Sequence, residues 1–103
     1  MSFGLVFKRL AEAEIAEAFA WYDRRGIDQG GAFLAELERV ERFVKLNPLL
    51  YPKVEGDIRR ANLRRFPYSM FYVVDGDIVA VLSCFHQHRD PLVGPGPDDG
   101  DRP

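Results

Sequence analysis

The chain opens with Phe3, Leu5 and Phe7 at period two, which predicts a strand carrying those three side chains on one face. From Leu10 to Arg25 the period changes. Alanine and glutamate, both good helix formers, dominate, and Ala11, Ile15, Ala18, Phe19 and Tyr22 fall on one helical face. Glu12, Glu14, Glu17 and Asp23 are expected to turn mostly away from it. Gly26 is expected to stop this helix by taking positive φ, with Arg24 and Arg25 complementing the dipole in its last turn. Asp28 offers a cap for a second helix, although Gly30 and Gly31 weaken its first turn. From Ala32 the stripe Phe33, Leu37, Val40 and Val44 is clear, flanked by Leu34 and Phe43, and Asn47-Pro48 ends it. The short gap at Gly26-Ile27 implies an antiparallel helical hairpin.

The second half is β-prone. Pro48 to Lys53, with two prolines, reads as a connector. Ile58 to Leu63 is a basic strand candidate, followed by a turn near Arg65-Phe66-Pro67. Tyr68 to Val74 and Ile78 to Phe85 are joined by Asp75-Gly76, the best hairpin signal in the chain. The expected fold is α+β: an N-terminal strand, an antiparallel helical hairpin, then a three-stranded antiparallel meander, with the helices packed on one sheet face. The first strand must join the same sheet, because its apolar face has no other partner. Residues 1–91 form the expected domain. Residues 92–103 are rich in Gly, Pro and Asp, bury nothing, and read as a disordered acidic tail.

Composition narrows the functional classes. A length of 103 residues suits one domain, and 47% apolar residues supply one core without metal or disulfide. Cys84 is the single cysteine, which points to a reducing compartment. No apolar run approaches a membrane span, and the N-terminus lacks a secretion signal, so a cytoplasmic protein with no membrane partner is expected. The net charge of −2 gives no global basic field for nucleic acid. Its distribution is uneven, because Lys53, Arg59, Arg60, Arg64 and Arg65 stand against only Glu55 and Asp57 between positions 53 and 65.

These arginines are the leading candidates for binding. In an extended strand Arg59 and Arg60 point to opposite faces, so at most one can join a shared anion-binding surface. Guanidinium groups there bind phosphate or an acidic partner bidentately, or serve as solvated edge charges that block sheet aggregation. Trp21, at the end of the first helix, is an interface anchor or a core residue, and continuation of the stripe through Tyr22 favours core. Gly30-Gly31 lacks the preceding strand of a phosphate loop, and His86-x-His88 has too few ligands for a metal site, so no cofactor and no metal are expected.

One ordered set of residues carries a resemblance. An Ala/Glu-rich helix ends in Trp21-Tyr22. Phe33 with the Leu37 and Val40 stripe follows, then Asn47-Pro48, Tyr51-Pro52 and Ile58-Arg59-Arg60. Arg65-Phe66-Pro67-Tyr68, Tyr72 and His86-x-x-Arg89-Asp90-Pro91 close the set. Over about residues 3–91 it resembles the toxin subunits of the RelE/ParE superfamily, nearer to the ParE (plasmid-stabilisation) branch. The resemblance implies a toxin of a type II toxin–antitoxin pair in a hetero-oligomer with a cognate antitoxin whose tail wraps it. ParE-type relatives act on DNA gyrase, whereas RelE-type relatives cut messenger RNA at the ribosome.

Cleavage of RNA needs a base for the 2′-hydroxyl, an acid for the leaving oxygen, and cations for the phosphorane charge. His86 or His88 with Arg60, Arg65 and Arg89 are the residues that would fill those roles. The competing reading packs His86 at the strand end and pairs Arg89 with Asp90, and it is preferred. RelE-type relatives are strongly basic, with a lysine- and arginine-rich centre and a C-terminal tyrosine. Here only Lys8, Lys45 and Lys53 occur, no tyrosine follows Tyr72, and the net charge is −2. That favours a protein target, hence a non-enzymatic gyrase inhibitor, over an endoribonuclease acting on ribosome and messenger RNA. An inactive, toxin-like interaction module is a third reading. For target or antitoxin binding the expected residues are Arg59, Arg60, Arg64, Arg65, His86 and Arg89. An antitoxin segment is expected in an apolar groove between helices and sheet, engaging the arginines as well.

Overall fold

Gly76, at φ +62°, turns the chain between Asp75 and Ile78, which face each other as the last pair of the strongest hairpin in the molecule. This is a computed structural model, and it describes residues 2–87. The strands are β1 (Gly4–Phe7), β2 (Lys53–Glu55), β3 (Ile58–Asn62), β4 (Tyr68–Asp75) and β5 (Ile78–His86). The helices are α1 (Arg9–Arg25) and α2 (Gln29–Leu46), with a 3-10 turn over Pro48–Leu50. His88, Arg89, Asp90, Pro91 and the tail 92–103 lie outside the described residues.

The architecture is the α+β arrangement read from the sequence. The five strands form one sheet in the order β1-β5-β4-β3-β2. The first strand does join it, running parallel to β5 with Leu5 opposite Val79 and Phe7 opposite Val81. The remaining neighbours are antiparallel. One strand is additional to the expected meander: β2, three exposed residues that pair with the start of β3 around Gly56 at φ +54°. A strand with neither face buried leaves no period-two trace in the sequence.

Tyr68, Met70 and Tyr72 of β4, Val79, Val81 and Cys84 of β5 and Ala61 of β3 meet Phe33, Leu37, Val40 and Val44 of α2 and Ala11 and Ala18 of α1 in a continuous core. Ile15 and Tyr22 pack at its margin. Tyr22 stacks on Phe33 and meets Phe66 edge-on at 4.9 Å, so the end of α1 is tied into the core. Trp21 beside it is half-buried and carries the Arg25 guanidinium 4.1 Å above its ring. Arg25 is therefore engaged by an aromatic face as well as by the helix terminus.

The link between the helices departs from expectation. Gly26 has φ 176°, which is ordinary extended backbone, and Asp28 instead takes the left-handed conformation at φ 63° without a side-chain cap. Gly30 is needed for another reason. A Cβ there would lie 2.7 Å from Cε1 of Phe19 and 3.2 Å from the Cβ of Asp23, so the two helices meet through it. Gly31 faces open space.

Candidate interaction surfaces

The register of β3 on β4 sorts the arginines. Arg59 pairs with Tyr72, which is fully buried among the helices, so it lies on the helix-covered face. Its Nη1 donates to the Tyr51 carbonyl at 2.6 Å and to the Leu49 carbonyl at 3.2 Å. The Tyr72 hydroxyl donates to the Pro48 carbonyl at 2.6 Å, and burial pushes its pKa up to about 12. Arg59 is thus engaged in holding the connector after α2. Arg60 pairs with Phe71 on the opposite face and is exposed. Among the described residues no helix covers that face.

Arg64 and Arg65 sit in the loop between β3 and β4, both exposed. Arg65 takes φ 70° and lies 5.7 Å from the centre of the Phe66 ring. The backbone N–H of Arg64 donates to Glu36 Oε2, and Arg39 donates to the same carboxylate through Nε and Nη2 at 2.8 Å each. The Arg39 hydrogen bonds, opposed in part by burial, hold the Glu36 carboxyl below the ordinary glutamate range. The loop is fastened to α2 by this contact, while its guanidinium groups remain outside.

His86 pairs with Tyr68 and shares its face, with the two rings 5.5 Å apart and His86 only 8% exposed. Its imidazole therefore lies on the helix side of the sheet, whereas Arg60 lies on the other. The expected site residues do not converge: His86 is buried and Arg59 half-buried on the helix-covered face, Arg60 is on the opposite face, and Arg64 and Arg65 are in the loop at the sheet end. Arg89 and His88 are outside the described residues.

Two features were not anticipated. Glu14 does not turn away from the core. Its Oε1 accepts the Ser83 hydroxyl at 2.6 Å and the Cys84 N–H at 2.9 Å. Pairing with β1 ends at Val81, so this carboxylate serves part of the β5 edge that β1 does not reach. The signal was present, because Ala11, Glu14 and Ala18 recur at i, i+3 and i+7, and both alanines are buried.

The second feature is a groove of about 430 Å³ with an apolar floor of Phe7, Ile15, Ala16, Phe19, Leu34 and Leu37. Glu12 rims it from α1, and Glu38 and Glu41 rim it from α2, with no Lys or Arg in its lining. It runs between the helices and the end of β1, close to the expected location, but its rim is acidic and none of the arginine candidates lines it. Among the described residues no group of three or more His, Cys, Asp or Glu is placed to hold a metal ion, and no helix is long and apolar enough to cross a membrane.

A helical hairpin on one face of a five-stranded sheet, with a surface groove and exposed arginines, defines the class structurally. The model of the ParE toxin of type II toxin–antitoxin systems, parDE, matches residues 5–91. The chain belongs to this toxin family. Among solved structures, a chain of the chromosomal ParDE toxin–antitoxin system from P. aeruginosa is similar, with a TM-score of 0.67 at 16% identity over 82% of this chain and 96% of that one. A chain of the toxin–antitoxin complex RelBE2 from Mycobacterium tuberculosis has a TM-score of 0.61 at 16% identity, covering 84% and 99%. At these identities the likeness concerns the fold. No curated protein matches the sequence.

Proposed function

We propose that this toxin inhibits DNA gyrase by binding it, without catalysing a reaction, and that a cognate antitoxin neutralises it by laying an apolar segment in the groove between α1, α2 and β1. The match to the ParE family over residues 5–91 carries the reading. Support against messenger cleavage comes from the placement of the candidate catalytic groups. An acid–base pair and its cations must converge on one phosphodiester within hydrogen-bond reach. Here His86 is buried on one side of the sheet and Arg60 is exposed on the other, while Arg65 is exposed in the loop between β3 and β4. Support for the groove as the antitoxin site comes from its apolar floor, which suits an amphipathic helix or extended segment.

The test places the purified chain in two assays, gyrase supercoiling and translation on purified ribosomes. Supercoiling should fall in proportion to added toxin and recover on adding antitoxin, with the messenger intact. Site-specific messenger cleavage that disappears in the His86→Ala, Arg89→Ala double variant would overturn the proposal in favour of an endoribonuclease. Absence of any growth inhibition on expression without antitoxin would also overturn it, in favour of an inactive interaction module.

A further inference from the structure

Each helix gives the groove one complete stripe. Glu12, Ile15, Ala16 and Phe19 stand at i, i+3, i+4 and i+7 on α1, and Leu34, Leu37, Glu38 and Glu41 repeat that spacing on α2. Gly30, near the start of α2, meets Phe19 and Asp23 in the second half of α1, so the helices run in opposite directions. Glu12 therefore faces the part of α2 that carries Glu38 and Glu41, with Phe7 of β1 on the floor. Phe19 and Leu34 stand together toward the αα-turn. The groove is acidic on both walls at its β1 end and apolar at its turn end.

The acids are not engaged elsewhere in the fold. Among the described residues, none of Glu12, Glu38 and Glu41 belongs to an ion pair. Lys8 precedes Glu12 by one turn, and Arg42 and Lys45 follow Glu38 and Glu41 by one turn, but these cations neither pair with them nor line the groove. The floor, in contrast, is set by the fold. Phe7, Ile15 and Leu34 are half-buried and packed against the core, so they offer their outer sides without rearrangement. A preformed floor lowers the entropy cost of docking. The other exposed apolar surface, which carries Phe43, Leu46, Leu49, Leu50 and Val54, has no such charge signature. There Arg39 is taken by Glu36, and Lys53 by Asp57.

The two walls also restrict the shape of the occupant. An extended segment presents its side chains on two opposite faces, so with one face on the floor the other points to solvent and neither wall is addressed. A helix presents an apolar stripe with a flank on each side of it. From Glu12 to Phe19, α1 rises about 10 Å, which matches about two turns of a docked helix.

We infer that the groove takes an amphipathic helix whose lysines or arginines are gathered at one end, on both flanks of its apolar stripe, with that end against Glu12, Glu38 and Glu41. The apolar anchors at its other end seat on Phe19 and Leu34. A segment of the opposite sign would bring its carboxylates against three unpaired glutamates. The assignment of this helix to the antitoxin rests on the reading proposed above, whereas its chemistry follows from the groove.

The test uses the full chain and a fluorescently labelled helical peptide that carries a leucine stripe, flanked on both sides by lysine at one end. Its control is a twin with glutamate in place of each lysine. At low salt the lysine peptide should bind at least about tenfold more tightly than the twin, and the gap should narrow as salt rises. In a Glu12→Lys, Glu41→Lys variant the order should invert, with the melting temperature unchanged. A nitroxide on the lysine end of the peptide should broaden the amide NMR signals of Glu12 and Glu41 more than those of Phe19 and Leu34. Equal binding of the two peptides would overturn the inference, as would an unchanged order in the variant or broadening centred on Phe19 and Leu34. A wild-type dimer that the variant converts to monomer would assign the groove to a second copy and overturn it too. The cognate antitoxin should displace the lysine peptide. If the lysine preference holds and the antitoxin leaves the peptide in place, the chemistry of the groove stands and its assignment to the antitoxin fails.

Discussion

Arg59 and Arg60 are adjacent, identical in type, and placed on opposite faces of the sheet. The alternation of a strand was enough to state that they face different ways, but not which one faces inward. That depended on the 48–51 turn coming to lie beneath β3, where its carbonyls need a donor. Glu14 is the converse case. A carboxylate on an Ala/Glu-rich helix reads as solvated, yet this one accepts the Cys84 N–H at the sheet edge. Glu14→Ala should lower stability by about 1–3 kcal/mol in urea denaturation, because it strands a buried donor. Glu14→Gln should recover part of the loss, since an amide oxygen still accepts. A change of only a few tenths in Glu14→Ala would show that water replaces the carboxylate. Glu14 also acts on its neighbour: burial first, and the Glu14 charge second, push the Cys84 thiol up to about 12. The raised value means that its stabilising effect is complete below the ordinary thiol range and is lost as pH rises toward 12. At pH 8 the native thiol is then almost wholly protonated, and because Cys84 is also fully buried, labelling by a disulfide reagent should be at least about a hundredfold slower than for a free cysteine. Labelling at the rate of a free thiol would contradict this burial.

At the scale of elements, legibility followed burial on one face. The Phe33, Leu37, Val40 and Val44 stripe is buried as read, and the Tyr68–Asp75 and Ile78–His86 hairpin closes at Gly76 as read. What escaped had no such face. β2 is exposed throughout, and the parallel pairing of β1 with β5 depends on where the helices carry the chain, which no local pattern encodes. The αα-turn shows how turn chemistry can be right in kind and wrong in position. Gly26 and Asp28 both mark a helix boundary, but the positive φ falls on Asp28 rather than on the glycine, and its carboxylate caps nothing. This reverses the expected effect of a substitution. A capping aspartate costs about 1 kcal/mol when removed. Asp28→Gly should instead stabilise by about 0.5–1 kcal/mol, because glycine adopts φ 63° without a Cβ penalty. Thermal melting of the two chains decides it: a lower midpoint for Asp28→Gly would restore the capping function.

Across the whole molecule, the sequence located the arginines and an apolar groove but joined them in one surface, and the structure separates them. Sequence pattern conveys which residues are charged, whereas the sheet order and the helix flank decide which charges share a surface. The groove has Glu12 on one wall and Glu38 and Glu41 on the other. An antitoxin segment entering it should therefore carry lysine or arginine beside its apolar anchors, even if the antitoxin as a whole is acidic. Rim charges act mainly on the association rate and are screened within about 10 Å at 0.1 M salt. For the Glu38→Lys, Glu41→Lys toxin and its cognate antitoxin, surface plasmon resonance should show association slowed about tenfold at low salt. The difference should shrink as salt rises, with dissociation changed less. The Leu49→Ser, Leu50→Ser toxin should bind the same antitoxin as the wild type does, because that turn lies outside the groove. If charge reversal leaves association untouched while the leucine substitutions abolish it, the antitoxin uses the Phe43–Val54 face, and the groove assignment fails.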